Sequence, residues 1–417
     1  MAKQSFLHSI KQPLHKARRV LAKIWWEMHP GTTIIGVTGS YGKTSTTTAI
    51  SAVLEEKFKI LQTDLNLDTN YNLPITLLKL SDQEKLVLEM GVDKPGEMDY
   101  HLSLVKPSIG VVTGITPVHA DPEHLGSLEN IITEKGKLLA SLPESGWAIV
   151  NYDDENAREM AKLTKAQVVF YGLDKEKCQV WADKIKVDFE GTSFALHYGT
   201  ESIEVHIPLI GRHFVQNALA AAAVGITQDL NLGVIARGLG KLAPLEGRMS
   251  VEEGPLGAIL LNDSRRANLA STLAGLETVA DLAANRKVVV LGEMGEIGKD
   301  AEKAHRLVGK KVAQVRPDYL VAVGPMPKFI AEEAGKDMAK DRVFWVNNVA
   351  EAADVLKKIL KEGDLFYLKG SLLRHMERIL ILLNEEDIEC RLVVCHRYQL
   401  CPDCPALKDD SKSKLFS

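Results

Sequence analysis

Residues Gly36 to Ser45 read Gly-Val-Thr-Gly-Ser-Tyr-Gly-Lys-Thr-Ser, directly after the run Thr32-Thr33-Ile34-Ile35. A strand that runs into a glycine-rich turn closing on Gly-Lys-Thr is built to cradle phosphate. Glycines let backbone N–H groups close on phosphate oxygens, Lys43 brings a cation to the outer phosphates, and the Thr44 hydroxyl can reach Mg²⁺. Gly39, Ser40, Tyr41, Gly42, Lys43, Thr44 and Ser45 are therefore the expected nucleotide loop. Thr44 to Glu56 reads as a helix whose positive end points at the same place. The spacing is Gly36-x-x-Gly39-x-x-Gly42-Lys43-Thr44, and Val37 stands where a strict Walker pattern has its first glycine. A glycine-rich turn without nucleotide is the competing reading.

Other residues could join this chemistry. Glu89 follows the apolar run Leu86-Val87-Leu88, and a carboxylate at a strand end beside a phosphate loop is where Mg²⁺ would be held. His119 stands just past another strand, in Thr113-Gly-Ile-Thr-Pro-Val-His119, either as a ligand or as a structural histidine. Lys135 lies in a helical stretch, Ser127–Ala140, where a solvated lysine is the plain alternative. Asn217 sits in a segment that opens a helix, Gly211-Arg-His213-Phe-Val-Gln-Asn217-Ala, and could face a base or serve as a cap. Arg248 follows a proposed domain boundary and could reach into a cleft or stay at the surface.

These residues need a frame, and the chain supplies one. From Thr32 onward, apolar strand-like runs (Ile34–Val37, Leu86–Met90, Ile109–Thr113, Ala148–Asn151) alternate with helical patterns, which predicts a parallel sheet covered by helices. Residues 166–209 break into short runs that read as a small antiparallel sheet, closed by a helix over Phe214–Ile226. Alternation restarts at Ala258–Asn262, Lys287–Leu291, Tyr319–Val323, Val343–Val346 and Asp364–Leu368. The predicted fold is α/β: a P-loop central domain with a parallel sheet plus a small antiparallel sheet, then a Rossmann-like C-terminal α/β domain. Expected segments are 1–30 (a basic amphipathic helix), 31–246, 247–385 and a Cys-containing tail, 386–417, read as partly disordered. In the first segment Leu14, Ala17, Leu21, Ile24 and Met28 fall at helical spacing among Lys11, Lys16, Arg18, Arg19 and Lys23. We read this stripe as packing on the following domain, with peripheral membrane contact as the alternative.

Composition narrows the class. With 417 residues, 45% hydrophobic and 25% charged, the chain is an ordinary globular protein of two or three domains. A net charge of −4 gives no reason to expect nucleic-acid binding. No apolar run is long enough to span a bilayer, and the N-terminus lacks the pattern of a signal peptide, so a cytoplasmic location is expected. Of the 5 cysteines, Cys390, Cys395, Cys401 and Cys404 cluster near the end. Four such thiols could hold tetrahedral Zn²⁺, but the first spacing is irregular and reduced thiols are the simpler reading.

In this order and spacing the motifs resemble the Mur ligases, ATP-dependent amide-bond-forming enzymes of peptidoglycan synthesis. The resemblance runs from about Thr32 to Leu383. It rests on the Gly36–Thr44 turn, Glu89-Met-Gly with Gly96-Glu97, and Thr113-x-Ile-x3-His119 with Gly126-Ser127-x-Glu129 and Lys135-Gly136. It continues through Asn151-x-Asp153-Asp154, Gly211-x-His213-x3-Asn217, Gly247-Arg248-Met249 and Asp263-Ser264. Within the family the chain resembles the branch that adds D-alanyl-D-alanine, through Leu291-Gly-Glu-Met-Gly-Glu296-Ile-Gly298-x6-His305, Lys369-Gly370-Ser371, Met376-Glu377 and Asn66–Pro74.

That resemblance implies ATP, two Mg²⁺ ions and an acyl-phosphate intermediate, with UDP-muramoyl-peptide and D-Ala-D-Ala as substrates. It implies Lys43, Glu89, His119 and Lys135 as catalytic. Thr44 and Glu89 would hold the first Mg²⁺; His119 and a carbamylated Lys135 would hold the second. Asn217 would meet adenine, Arg248 the γ-phosphate and Asp263 the ribose, with domain closure assembling the site. Two departures stand out. The family branch usually opens with a uridine-nucleotide-binding domain, and here the phosphate loop begins 36 residues in, so a partner or the N-terminal helix would have to supply uridine recognition. The family's Asp-Ser-Tyr-Asn-Ala-Asn-Pro reads Asp263-Ser264-Arg265-Arg266-Ala267-Asn268-Leu269 here. The rivals are a folylpolyglutamate-synthase-like or cyanophycin-synthetase-like ligase, and a non-catalytic nucleotide-binding protein of the same fold.

Overall fold

The computed structural model describes residues 2–64, 69–116, 124–295, 297, 300–395 and 400–409, and for 2–14 the backbone alone. The chain forms two compact units. One comprises Met1–Lys186, Ser193–Ile207 and His213–Leu242; the other comprises Val187–Thr192, Pro208–Arg212 and Ala243–Ser417.

The strands of the first sheet, which belong to the first unit except for the turn-proximal ends of β7 and β8 within Val187–Thr192, are β1 (Thr33–Thr38), β2 (Ile60–Gln62), β3 (Lys85–Glu89), β4 (Ile109–Val112), β5 (Trp147–Asn151), β6 (Gln167–Gly172), β7 (Val180–Asp188), β8 (Gly191–Tyr198) and β9 (Glu201–Ile207). They form one sheet in the order β2-β3-β1-β4-β5-β6-β7-β8-β9. Strands β2 to β6 and β1 pair in parallel. The inner strands are apolar along their middles, as a sheet covered on both faces requires, and polar residues stand at their ends; β4 is Ile-Gly-Val-Val and fully buried. The short strands expected as a small antiparallel sheet are present, but they continue the large one. Val168–Tyr171 is the body of β6, which lies parallel to β5, and β6 passes to β7 through the parallel pairs Tyr171↔Val180 and Gly172↔Trp181. Val180–Ala182 and Ile185–Phe189, which look like separate runs, form one strand, β7, as far as Asp188, with Lys184 between them at φ 53°.

The helices of this unit are α1 (Ala2–Glu27), α2 (Lys43–Leu54), α3 (Thr69–Leu78), α4 (Glu97–Leu104), α5 (Leu128–Ala140), α6 (Glu155–Met160), α7 (His213–Thr227) and α8 (Leu232–Gly240). Helix α1 corrects one expectation. Ala22 is buried and Trp26 packs with the core around Leu73 and Leu77, while Trp25 donates its indole N–H to the Leu80 carbonyl. The stripe expected to pack faces outward instead: Leu21 is 58%, Ile24 50% and Met28 66% exposed. Two tryptophans off the stripe bury more area than the aliphatic side chains on it and so decide which face docks.

The second unit carries β10 (Ser250–Glu253), β11 (Ile259–Asp263), β12 (Lys287–Leu291), β13 (Tyr319–Val323), β14 (Val343–Val346) and β15 (Leu365–Lys369), in the order β10-β11-β15-β12-β13-β14. Only β10, an edge strand, runs antiparallel, against β11. Helices α9 (Leu269–Asp281), α10 (Ala301–Val315), α11 (Lys328–Ala334), α12 (Val349–Ile359) and α13 (Arg378–Leu383) complete it. The tail is ordered as far as it is described: Cys401 and Leu407 pack with Ile381 of α13.

Candidate functional site

In the order β3-β1-β4, three parallel strands end side by side, and their C-terminal ends carry the turn after β1, Glu89 and Thr113. Register places Glu89 opposite Val37 and Val112 opposite Thr38. Gly42, at φ 74°, is the N-cap of α2 and offers no side chain to its N–H groups, so the helix start remains available to an anion. The Thr44 hydroxyl donates to Glu89 Oε2 at 2.9 Å. A hydroxyl and a carboxylate oxygen so placed are two hard donors of the kind Mg²⁺ takes. Lys43 Nζ donates back to the Gly39 carbonyl at 2.9 Å, within its own loop.

The loop is held from the β4 side. The Thr113 hydroxyl donates to the Tyr41 carbonyl at 2.5 Å, and Ser40 N–H to the Gly114 carbonyl at 2.7 Å. Tyr41 donates its hydroxyl to Asp154 Oδ2 at 3.1 Å, and that carboxyl also accepts from the Ile115 and Ala157 N–H groups. Burial and the Asp154 charge push the Tyr41 hydroxyl above its ordinary range, so it acts as a fixed donor. Ser45, also assigned to this turn, lies in the first turn of α2. Asn217, on α7, donates its amide to Thr46 Oγ1 at 2.7 Å and to the Gly42 carbonyl at 3.3 Å. It braces the loop in this structure.

Lys135 lies on the buried face of α5, flanked by Ile131, Leu138 and Leu139, and is 2% exposed. Its Nζ donates to the Val92 carbonyl at 3.1 Å. Burial, then the nearby Lys43 charge, lower this ammonium from 10.5 to about 7, against the opposing pull of Asp93, Glu97 and Glu134. About half of such an amine is neutral at pH 7. Lys43, Thr44, Glu89 and Lys135 thus belong to one constellation. His119 lies outside the described residues, as do Asn66, Glu296 and Gly298 of the branch motifs.

In the second unit Asp263 and Lys369 are register partners at the ends of β11 and β15. Lys369 Nζ donates to Asp263 Oδ2 at 2.6 Å, Tyr367 donates its hydroxyl to the same oxygen at 3.1 Å, and all three are buried. Burial outweighs Lys369 and raises the Asp263 carboxyl above its ordinary range. Arg248 is half-buried, and its charge bears on Asp263. Arg265, one of the departures from the family pattern, donates its N–H to the Gly247 carbonyl at 3.0 Å.

Sequence reasoning gave no role to Thr113, Asp154 or Glu134, the last of which accepts from the Gly96 and Met98 N–H groups at the start of α4. It also missed the Asp263–Lys369 pair. Position was the available signal: Thr113 and Lys369 both close parallel strands, where open α/β sheets gather their ligands.

The four tail thiols are not drawn together as one ligand set. Among the described residues, the metal-competent group is His375, Glu377 and Cys401, with ligand atoms within 4.8 Å of one another. Cys390 and Cys395 are buried and Cys404 half-buried.

Comparison with known proteins follows the same division. Residues 37–225 match the Mur ligase middle domain, and residues 247–372 match the glutamate ligase domain of Mur ligases. The chain is 31% identical over 366 residues to the UDP-N-acetylmuramoyl-tripeptide--D-alanyl-D-alanine ligase of Escherichia coli (strain K12), across 87% of this chain and 79% of that protein. It is 32% identical over 360 residues to the enzyme of the same name from Bacillus subtilis (strain 168), across 86% and 77%. The crystal structure of MurF from Acinetobacter baumannii matches with a TM-score of 0.80 at 26% identity, over 89% of this chain and 81% of that one.

Proposed function

This chain belongs to the Mur ligase family, and from that premise we propose that it is an ATP-dependent ligase joining D-alanyl-D-alanine to a UDP-N-acetylmuramoyl-tripeptide in peptidoglycan synthesis. The observation that carries the reading is the meeting of Lys43, Thr44, Glu89 and Lys135 at one strand-end cluster of the first unit.

In the proposed reaction a carboxylate oxygen of the tripeptide attacks the γ-phosphorus of ATP, and the bond to ADP breaks. The amine nitrogen of the dipeptide then attacks the acyl carbon, phosphate leaves, and the amine proton passes to solvent. Charge spreads over the phosphoryl oxygens as it transfers, so the site must provide cations and fixed donors. Lys43 and the N–H groups at the start of α2 would hold the phosphates. Thr44 and Glu89 would hold one Mg²⁺; Lys135 as its carbamate, with His119, would hold a second. When bound, such ions neutralise phosphate charge and orient the attacking carboxylate. Carbamylation needs a neutral amine, and the burial of Lys135 supplies one. Asn217 is proposed beside adenine; Arg248 and Asp263 keep their γ-phosphate and ribose roles from the motif match alone. We place the reaction in the cytoplasm, with the exposed stripe of α1 resting on a lipid surface. No helix among the described residues is long and apolar enough to cross a membrane.

The test is phosphate release from ATP with UDP-muramoyl-tripeptide plus D-Ala-D-Ala, set against folate plus glutamate. The first pair should give amine-dependent release and the second none. Lys43→Ala should lower the rate roughly 100-fold or more with an unchanged circular dichroism spectrum. Wild-type turnover in that variant would refute the cradle, and turnover of the second pair would reassign the substrate.

A further inference from the structure

At the junction of β15 and α13 the backbone makes an unusual turn. His375 adopts φ 48°, in the left-handed region, and carries its ring inward, 2% exposed. Its Nδ1 shares a proton with Glu377 Oε1 at 2.7 Å, and the Cys401 N–H donates to the same oxygen at 3.1 Å. Among the described residues, that leaves His375 Nε2 and Glu377 Oε2 buried without a hydrogen-bond partner. Two unsatisfied polar atoms on neighbouring buried side chains are costly unless something meets them. Cys401 completes a set whose ligand atoms lie within 4.8 Å of one another. Arg378 donates Nε–H to Cys401 Sγ at 3.0 Å and Nη2–H to Cys390 Sγ at 3.3 Å. Donors aimed at sulfur are what a metal-bound thiolate receives from its surroundings.

We propose that His375, Glu377 and Cys401 hold a zinc-class divalent cation that fastens the C-terminal segment to the second unit. Nitrogen, oxygen and sulfur together are the donor set of a borderline-soft ion, and tetrahedral zinc separates its ligand atoms by roughly 3.3–3.8 Å, inside the 4.8 Å that bounds the three ligand atoms here. Binding forms a metal–sulfur bond and releases the Cys401 thiol proton to solvent; no electron moves. His375 binds as neutral imidazole and Glu377 as carboxylate, so the cation and its two anionic ligands sum to zero and Arg378 remains a hydrogen-bond donor. The fourth position is open to water or to Cys404.

The site also steadies the crest of the second sheet. Met376, between the two ligands, packs so tightly on the glycines after β12 and β15 that a Cβ at Gly292 would stand 2.7 Å, and one at Gly370 2.2 Å, from its side chain. Arg374, one residue earlier, pairs with Glu293 at 2.6 Å. A cation at His375 therefore fixes the turn against which both strand-end loops rest.

The test uses the full chain, stripped with chelator under reducing conditions and titrated with zinc chloride, with bound zinc counted by mass spectrometry. Cobalt replacement reads a sulfur-to-metal charge-transfer band. One zinc per chain is expected, with His375→Gln and Cys401→Ser each weakening binding tenfold or more and Cys178→Ser leaving it unchanged. Circular dichroism checks the folding of each variant, and His375→Gln decides if Cys401→Ser does not fold. Failure of the wild type to retain zinc above the level of a variant carrying both His375→Gln and Cys401→Ser would overturn the proposal. So would full retention in His375→Gln. Loss in Cys395→Ser with His375→Gln unaffected would reassign the metal to the four thiols. None of these readouts depends on ligase activity.

Discussion

Lys135 shows how one side chain becomes chemically special by position. Its helix turns it inward, and the resulting low-dielectric surroundings, with Lys43 nearby, bring its ammonium from 10.5 to about 7. An unfolded chain binds the Lys135 proton up to about pH 10.4, whereas the folded chain releases it near 7. Across that window the unfolded state holds more protons, so this group's contribution to stability rises with pH, and its penalty is fully present below about 7. Lys135→Met should therefore melt above the wild type at pH 6, with the gap closing toward pH 10. Calorimetry across that range is the check, and a gap that widens with pH would contradict the assignment. Lys135→Ala should lose activity that added short carboxylates partly restore. The position of Lys135 was legible from its sequence motif, but its burial was not, because a lysine between apolar neighbours on a helix reads equally well as a snorkelling surface residue.

At the scale of elements, the turn after β1 depends on glycine for a steric reason. Gly39 sits at φ 149°, and a Cβ there would stand 2.0 Å from Thr113 Oγ1. Thr113 cannot yield without surrendering its bond to the Tyr41 carbonyl. Gly39→Ala should cost about 1–3 kcal/mol of stability and abolish nucleotide binding, measured by denaturant unfolding and by calorimetric titration of ATP. Wild-type affinity for ATP in that variant would show that the loop does not close on phosphate. Apolar runs flanked by turn residues made the long buried strands readable: β12, β13 and β14 match the expected spans to the residue. Strand β10, half charged and at an edge, carries no such pattern, and α3 and α4 are too short and too mixed to stand out. The pairing of β6 was hidden because a short alternating run does not declare which neighbour it joins.

For the whole molecule, net charge misleads. The chain carries −4, yet α1 presents Lys16, Arg18 and Lys23 near Leu21, Ile24 and Met28, all three of which face outward. Such a pattern would suit an anionic bilayer, through apolar insertion and charge together, as proposed above. The full chain should sediment with vesicles containing phosphatidylglycerol, less so at high salt, and a Leu21→Ser, Ile24→Ser, Met28→Ser triple variant should not. Equal recovery of the triple variant would remove the lipid surface from the account.

The union of β6 with strands on both sides has a consequence for how the sheet tolerates change. Because β6 bonds to β5 on one flank and to β7 on the other, a residue inserted or deleted within it would slip the register on both flanks at once and turn its buried side chains outward.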